Sequence, residues 1–300
     1  MVKALSGELA PGIGGVVTQV QAQVSTLGWR IDDLLLTAQA AGVPRRLAVS
    51  AKGNLQVNAA GLPADFVMRA WDQWRDLQGP FSRVADGLAL VTIGTDKAFV
   101  PTWREVKNAC SGTDAALTLS RIRSNKRQSR VFDSVQKPGG ASDEETIELI
   151  RRLHVLPTDL QLAHSENETQ AVAQCRRLLA SGREDEAQSL WKELINVAKE
   201  VRLRRETITV PDLLSLLRGQ FGLRHHHWWR RLSSYFQPWA RAISNTTILA
   251  PNGRMGSSAS KRFGCVAWRV LERLRIYWMR LLNGFLHAKR PLSPSTLQPF

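Results

Sequence analysis

GWRIDDLLLTAQAAGVPRRLAVSAKGNLQ, residues Gly28 to Gln56, is the stretch that decides the fold. Ile31 to Leu36 and Leu47 to Val49 are short apolar segments on either side of the turn-prone AGVP, so the spacing predicts a β-hairpin or two neighbouring strands. Asp32-Asp33 stands at the start of the first segment, and Ser50-Ala51-Lys52 ends the second. Side chains alternate faces along a strand, so pairing would bring an acid and a lysine together at one edge of the sheet.

Working outward, IGGVVTQVQAQVSTLGW places Val16, Val17, Val20 and Val24 near helical spacing, which predicts a first helix stopped by Gly28. Downstream, GNLQVNAAG reads as a polar loop. In LPADFVMRAWDQWRDL, Pro63 suits a first helical turn, and Val67, Trp71 and Trp74 share a face that should pack on the sheet. DGLALVTIGT, residues 86 to 95, is a near-continuous apolar run that fits a strand buried on both faces.

The order helix, strand with Asp, turn, strand ending in (D/E)xK, then helix and strand resembles the PD-(D/E)xK nuclease superfamily. That resemblance implies an α/β fold with a restriction-endonuclease-like core of helix-strand-strand-helix-strand, here residues 10 to 95. It implies Asp33 and Lys52 as catalytic residues, with Lys52 stabilising the attacking hydroxide. Mg²⁺ or Mn²⁺ would be held by Asp33, with the Ser50 hydroxyl, the Ala51 carbonyl or Asp32 completing the shell. Ser50 stands where the family pattern has its second carboxylate, and Glu8 is the nearby acid on the upstream side. The body further resembles the N-terminal double-stranded DNA endonuclease effectors of bacterial antiphage proteins, in which a STAND-type or NACHT-type ATPase follows. The function implied is metal-dependent DNA cleavage with duplex DNA as partner. A homo-oligomer is left open, and the ATPase region is absent from this chain. The alternative is an inactive nuclease-fold module that binds DNA or a protein partner, a reading that Ser50 favours.

Beyond this core, TWREVKNAC and DAALTLSRIRS read as two helices, and SNKRQSR adds a basic cluster. Arg121, Arg123, Lys126 and Arg127 are therefore candidate nucleic-acid contacts, set against the plainer reading of a solvated face. Ser142 and Glu145 make a capping box before TIELIRRL, HVLPTDLQL suggests a late strand, and three further helices run to about residue 224. The expected domains are 1–140 as the nuclease, 141–224 as a helical annex and 225–300 as a basic tail. His154 and His164 are isolated, and there is no GxxxxGK[ST] loop, GxSxG or HExxH.

Composition divides the chain. Residues 213–300 hold 14 of the 41 Lys and Arg but only one of the 26 Asp and Glu, Glu272, so nearly all of the net charge of +15 lies there. Five of ten Trp and four of six His also fall beyond residue 224. Three readings compete: a tail that binds nucleic acid, a membrane-surface helix around residues 266–286, or an out-of-frame, disordered translation, which the abrupt loss of acids favours. Three cysteines without CxxC spacing argue against a disulfide framework or zinc. No run of about 20 apolar residues occurs, which points to a cytoplasmic protein without membrane insertion.

Overall fold

The computed structural model describes residues 1–59, 61–159 and 165–224. Expectations for His164 and for residues 225–300 lie outside the described residues. The fold is mixed α/β, built on a six-stranded sheet of order β5-β4-β3-β2-β1-β6. In chain order the elements are α1 (Val2–Ser6), β1 (Val16–Ala22), β2 (Leu34–Ala40), β3 (Val43–Val57), α2 (Ala64–Arg75), β4 (Gly87–Thr95), α3 (Phe99–Cys110), α4 (Ala115–Ser124), α5 (Lys126–Gly139), α6 (Asp143–Arg152), β5 (Leu153–Pro157), α7 (Glu166–Leu178), α8 (Ala187–Arg204), β6 (Thr207–Thr209) and α9 (Val210–Arg218).

The hairpin is present and longer than its apolar segments suggest. Ala40 faces Val43 across the turn, Leu36 faces Leu47, and Leu34 faces Val49. The two turn residues, Ala41 and Gly42, have φ of 49° and 81°. This left-handed pair matches the twist of the flanking strands, but alanine carries a Cβ that the left-handed region penalises. Ala41→Asn is expected to raise stability by about 1 kcal/mol, read as a higher urea midpoint; an unchanged midpoint would show that the alanine is unstrained.

Two expectations are corrected here. The predicted first helix is strand β1, antiparallel to β2 with a bulge between Val17 and Gln19. Its β-branched valines are stiff at χ1 and pack well on a pleated surface, and pairing with β2 satisfies the backbone that the approximate helical period left ambiguous. Ser50-Ala51-Lys52 lies in the middle of β3, not at its end. The supposed polar loop after it is strand as far as Val57, because β3 runs parallel to β4 through Ser50–Leu90 and on to Val57–Thr95. The core order is therefore strand-strand-strand-helix-strand.

Alternation along the strands sorts the core into two layers. Ala48, Leu88 and Leu90 pack with Phe66, Trp71, Phe99, Phe132 and Ile147 from α2, α3, α5 and α6. Leu47, Val49 and Ala89 face the other side, with Leu178, Leu190, Leu194 and Leu213 from α7, α8 and α9. Trp71 and Trp74 are both buried, as their helical spacing predicts. Ser142 and Glu145 form the expected capping box of α6. The segment 141–224 supplies both outer strands: β5 lies parallel to β4, and β6 lies antiparallel to β1. No described helix is long and apolar enough to cross a membrane.

Candidate functional site

Asp32 and Asp33 sit just before β2, where the backbone carbonyls of Asp32 and Asp33 accept from Val24 (2.8 Å) and Gln23 (3.2 Å). This holds them opposite the middle of β3. Pairing with β2 stops at Val49, and beyond that point the Ala51 N–H donates to Asp33 Oδ2 at 2.9 Å. The Ser50 hydroxyl donates to the same oxygen at 3.3 Å, from a side chain only 2% exposed. Asp32 turns elsewhere, to Arg69 at 3.7 Å. Lys52 pairs with Thr92 in the strand, but the role expected of its side chain lies outside the described residues. Glu8 is remote in its contacts, held by Lys3 at 3.4 Å and Gln174 at 3.3 Å.

The arrangement brings Asp33 and Ser50 together and separates Asp32 from them. It does not fit a magnesium site. Mg²⁺ needs a near-octahedral set of oxygens, normally with one or two carboxylates and several waters, whereas Ser50 is 2% exposed and Asp32 is paired with Arg69. Among the described residues no group of three or more His, Cys, Asp or Glu is placed to hold a metal. What the geometry makes is a clasp, in which a carboxylate terminates the β2–β3 ladder by accepting the first backbone donor that β2 leaves free.

The basic cluster is also divided. Arg123 contacts Asp133, Asp143 and Gln136 and lies over the Phe132 ring at 5.0 Å, so it ties α4 to α5 and α6. Arg121, Lys126 and Arg127 are exposed at the junction of α4 and α5.

No protein-family model matches the chain, and no curated protein matches it. Among solved structures, three of the Acinetobacter baumannii Cap4 SAVED/CARF-domain containing receptor are similar to it. The receptor with the cyclic trinucleotide 3'3'3'-cAAA is 10% identical, with a TM-score of 0.41 over 69% of this chain and 39% of the receptor. The receptor alone is 11% identical, with a TM-score of 0.42 over 73% and 45%. The form with 2'3'3'-cAAA is 11% identical, with a TM-score of 0.41 over 73% and 43%. The chain thus spans less than half the length of each. All three are named as a SAVED/CARF-domain containing receptor, two of them with a cyclic trinucleotide. The assignment to the PD-(D/E)xK nucleases, the metal-dependent endonuclease activity and the duplex DNA partner are corrected accordingly. The chemistry at Asp33 points the same way, since a neutral hydroxyl that donates to the sole carboxylate cannot supply the charge of a second one.

A second cluster was hidden by sequence distance. Lys107, in the last turn of α3, reaches over edge strand β5, donating to the Leu153 carbonyl and lying 2.8 Å from His154 Nδ1. Burial, with Arg152 nearby, lowers the Lys107 amine to about 7. Burial and Lys107 lower His154 to about 3. The signal for this was Lys107 itself, a lysine on the stripe Trp103, Val106 and Cys110 that faces the core.

The lowered amine has a pH consequence. Between about 7 and 10.5 the unfolded chain holds a proton that folded Lys107 has lost, so stability rises with pH through that interval. The buried Met1 amine, lowered from 8.0, acts in the same sense at lower pH. Cys110 and Cys175, pushed up by burial from 9.0 to about 12, act in the opposite sense above pH 9. Between pH 8 and 9 the melting temperature should therefore climb, and Lys107→Met should flatten that climb; an equal slope in both proteins would refute the assignment.

Proposed function

We propose that this chain is a binding module that captures a ligand and does not hydrolyse phosphodiesters. The observation that carries this reading is the occupied state of Asp33, whose Oδ2 is taken up by the Ala51 N–H and the Ser50 hydroxyl. A carboxylate that closes a strand ladder acts as a structural acceptor, and the Ser50 hydroxyl that donates to it, on a residue 2% exposed, is too buried to meet a phosphodiester. The mixed sheet then serves as a rigid platform with helices on both faces, the setting in which binding groups from several elements are held in fixed relation.

The test separates a clasp from a catalytic carboxylate. Supercoiled plasmid incubated with the purified chain and Mg²⁺ or Mn²⁺ is expected to stay intact. Asp33→Ala is expected to lower stability by about 1.5–3 kcal/mol, the worth of hydrogen bonds to a charged acceptor. Metal-dependent nicking that disappears in Asp33→Asn, with the urea midpoint unchanged, would overturn the reading.

A further inference from the structure

We propose that Lys107, Arg152 and His154 form a binding site for a phosphate-bearing ligand at the outer rim of β5. The proposal rests on the reading of the chain as a binding module and names the chemistry of what it binds.

Three bases from two helices and a strand are neighbours here: Lys107 lies against the His154 ring, Arg152 is near enough to act on both, and no carboxylate pairs with any of them among the described residues. Lys107 has three donor protons: one is directed to the Leu153 carbonyl and one to the His154 ring. Arg152, the final residue of α6, is half-buried, and its guanidinium has no hydrogen bond or ion pair among the described residues. Such a guanidinium normally finds a carboxylate or carbonyls, because its five donors are costly to leave unmatched away from water.

The neighbouring charges are already committed. Arg151 donates to the Cys110 and Gly112 carbonyls and pairs with Glu148, which removes that acid from reach. Arg45 of β3 donates to the Ile13 carbonyl at 2.8 Å. Asp86, at the start of β4, is bound to Arg46. Cys110 is an uncharged thiol, held so by burial. Lys107 and Arg152 thus place positive charge beside a neutral imidazole, and no carboxylate among the described residues pairs with either.

The histidine ring is held in place. Gly12 has φ of 82°, and a Cβ at that position would overlap the ring of His154, while Gly87 borders it from β4. A side chain at residue 12 would displace the imidazole from Lys107. The chain therefore holds the neutral ring beside Lys107 and Arg152, whose mutual repulsion a bound anion would offset. Phosphate suits the set because its several oxygens accept from a guanidinium fork, an ammonium and an imidazole approaching from different directions.

The experiment uses the full chain near neutral pH at constant ionic strength, with chloride as the control salt. Inorganic phosphate, and separately a cyclic trinucleotide, are titrated by calorimetry and followed by melting temperature. Saturable binding is expected, weaker by about tenfold or more in Arg152→Gln and in Lys107→Met, since each loses a charge-assisted contact. Binding should also take up protons, seen as heats that vary with the ionisation enthalpy of the buffer, and Lys107→Met should reduce that uptake. Both variants keep much of the side-chain bulk, and their urea midpoints report whether they fold. Tighter binding of the cyclic trinucleotide than of phosphate would identify a nucleotide as the source of the phosphate group. Binding of neither probe, or equal binding by wild type and both folded variants, would overturn the proposal. Such a failure without metal-dependent plasmid cleavage removes this site alone, whereas cleavage would refute the binding-module reading.

Discussion

Replacing Asp86 by alanine is expected to cost about 3 kcal/mol of folding free energy, more than any other single change of charge in the described part of the chain. Asp86 is 1% exposed and accepts from the Arg46 amide (2.8 Å), from Arg46 Nη2 (2.7 Å) and from the Ser82 amide (2.9 Å). Arg46 also reaches the Pro80 carbonyl and lies over the Trp29 ring at 5.1 Å. One carboxylate therefore joins the start of β3, the start of β4 and the loop before it. Removing it strands two backbone donors and a guanidinium whose side chain is 33% exposed. That exposure lets water recover part of the loss, which is why the lower end of the range for broken buried pairs applies. Asp86→Asn keeps an acceptor oxygen and should cost less. A midpoint shift in urea equivalent to under about 1 kcal/mol for the alanine variant would show that solvent replaces the carboxylate.

Trp71→Ala should cost about 3–5 kcal/mol, the range for truncating a large buried aromatic. The indole is 2% exposed, its Nε1 donates to the Val135 carbonyl at 2.8 Å, and the Arg75 guanidinium covers its ring at 4.9 Å. Gly139 lies against the indole so closely that any Cβ there would overlap it, so the cavity left by alanine has a rigid wall. Trp71→Phe refills most of the volume but loses the hydrogen bond, and it should retain more than half of the lost stability. Equal losses in the two variants would assign the effect to the hydrogen bond and not to packing.

How far the sequence spoke for itself follows from the range of the forces involved. The β2–β3 hairpin, α2, β4, the capping box of α6 and β5 were legible because each depends on neighbours within a few residues. β1 was not, since Val16, Val17, Val20 and Val24 satisfy a helical period almost as well as a strand, and only the partner strand decides. β6 was missed because three residues ahead of a capped helix carry no period of their own. At the clasp, strand alternation predicts that an acid and Lys52 converge at one edge of the sheet, whereas Asp33 meets the Ser50 hydroxyl and the Ala51 amide within β3. The chemistry there was not legible, because a D…xxK spacing is silent on whether a carboxylate faces a metal or an amide. Lys107 and His154, 47 residues apart, meet only because α3 crosses beside the edge strand.

The strands at the two rims of the sheet bear on the order of events during synthesis. The outer edge of β1, complete once Ala22 has been made, pairs with Thr207–Thr209, almost 190 residues later. On the ribosome the first strand must therefore wait for most of the described chain to emerge before its second neighbour exists. During that interval its unpaired backbone is the surface most open to mispairing or to a chaperone. Such a long-range closure is slow to find, which makes the arrival of residue 209 the step at which the nascent sheet becomes safe from its own edge.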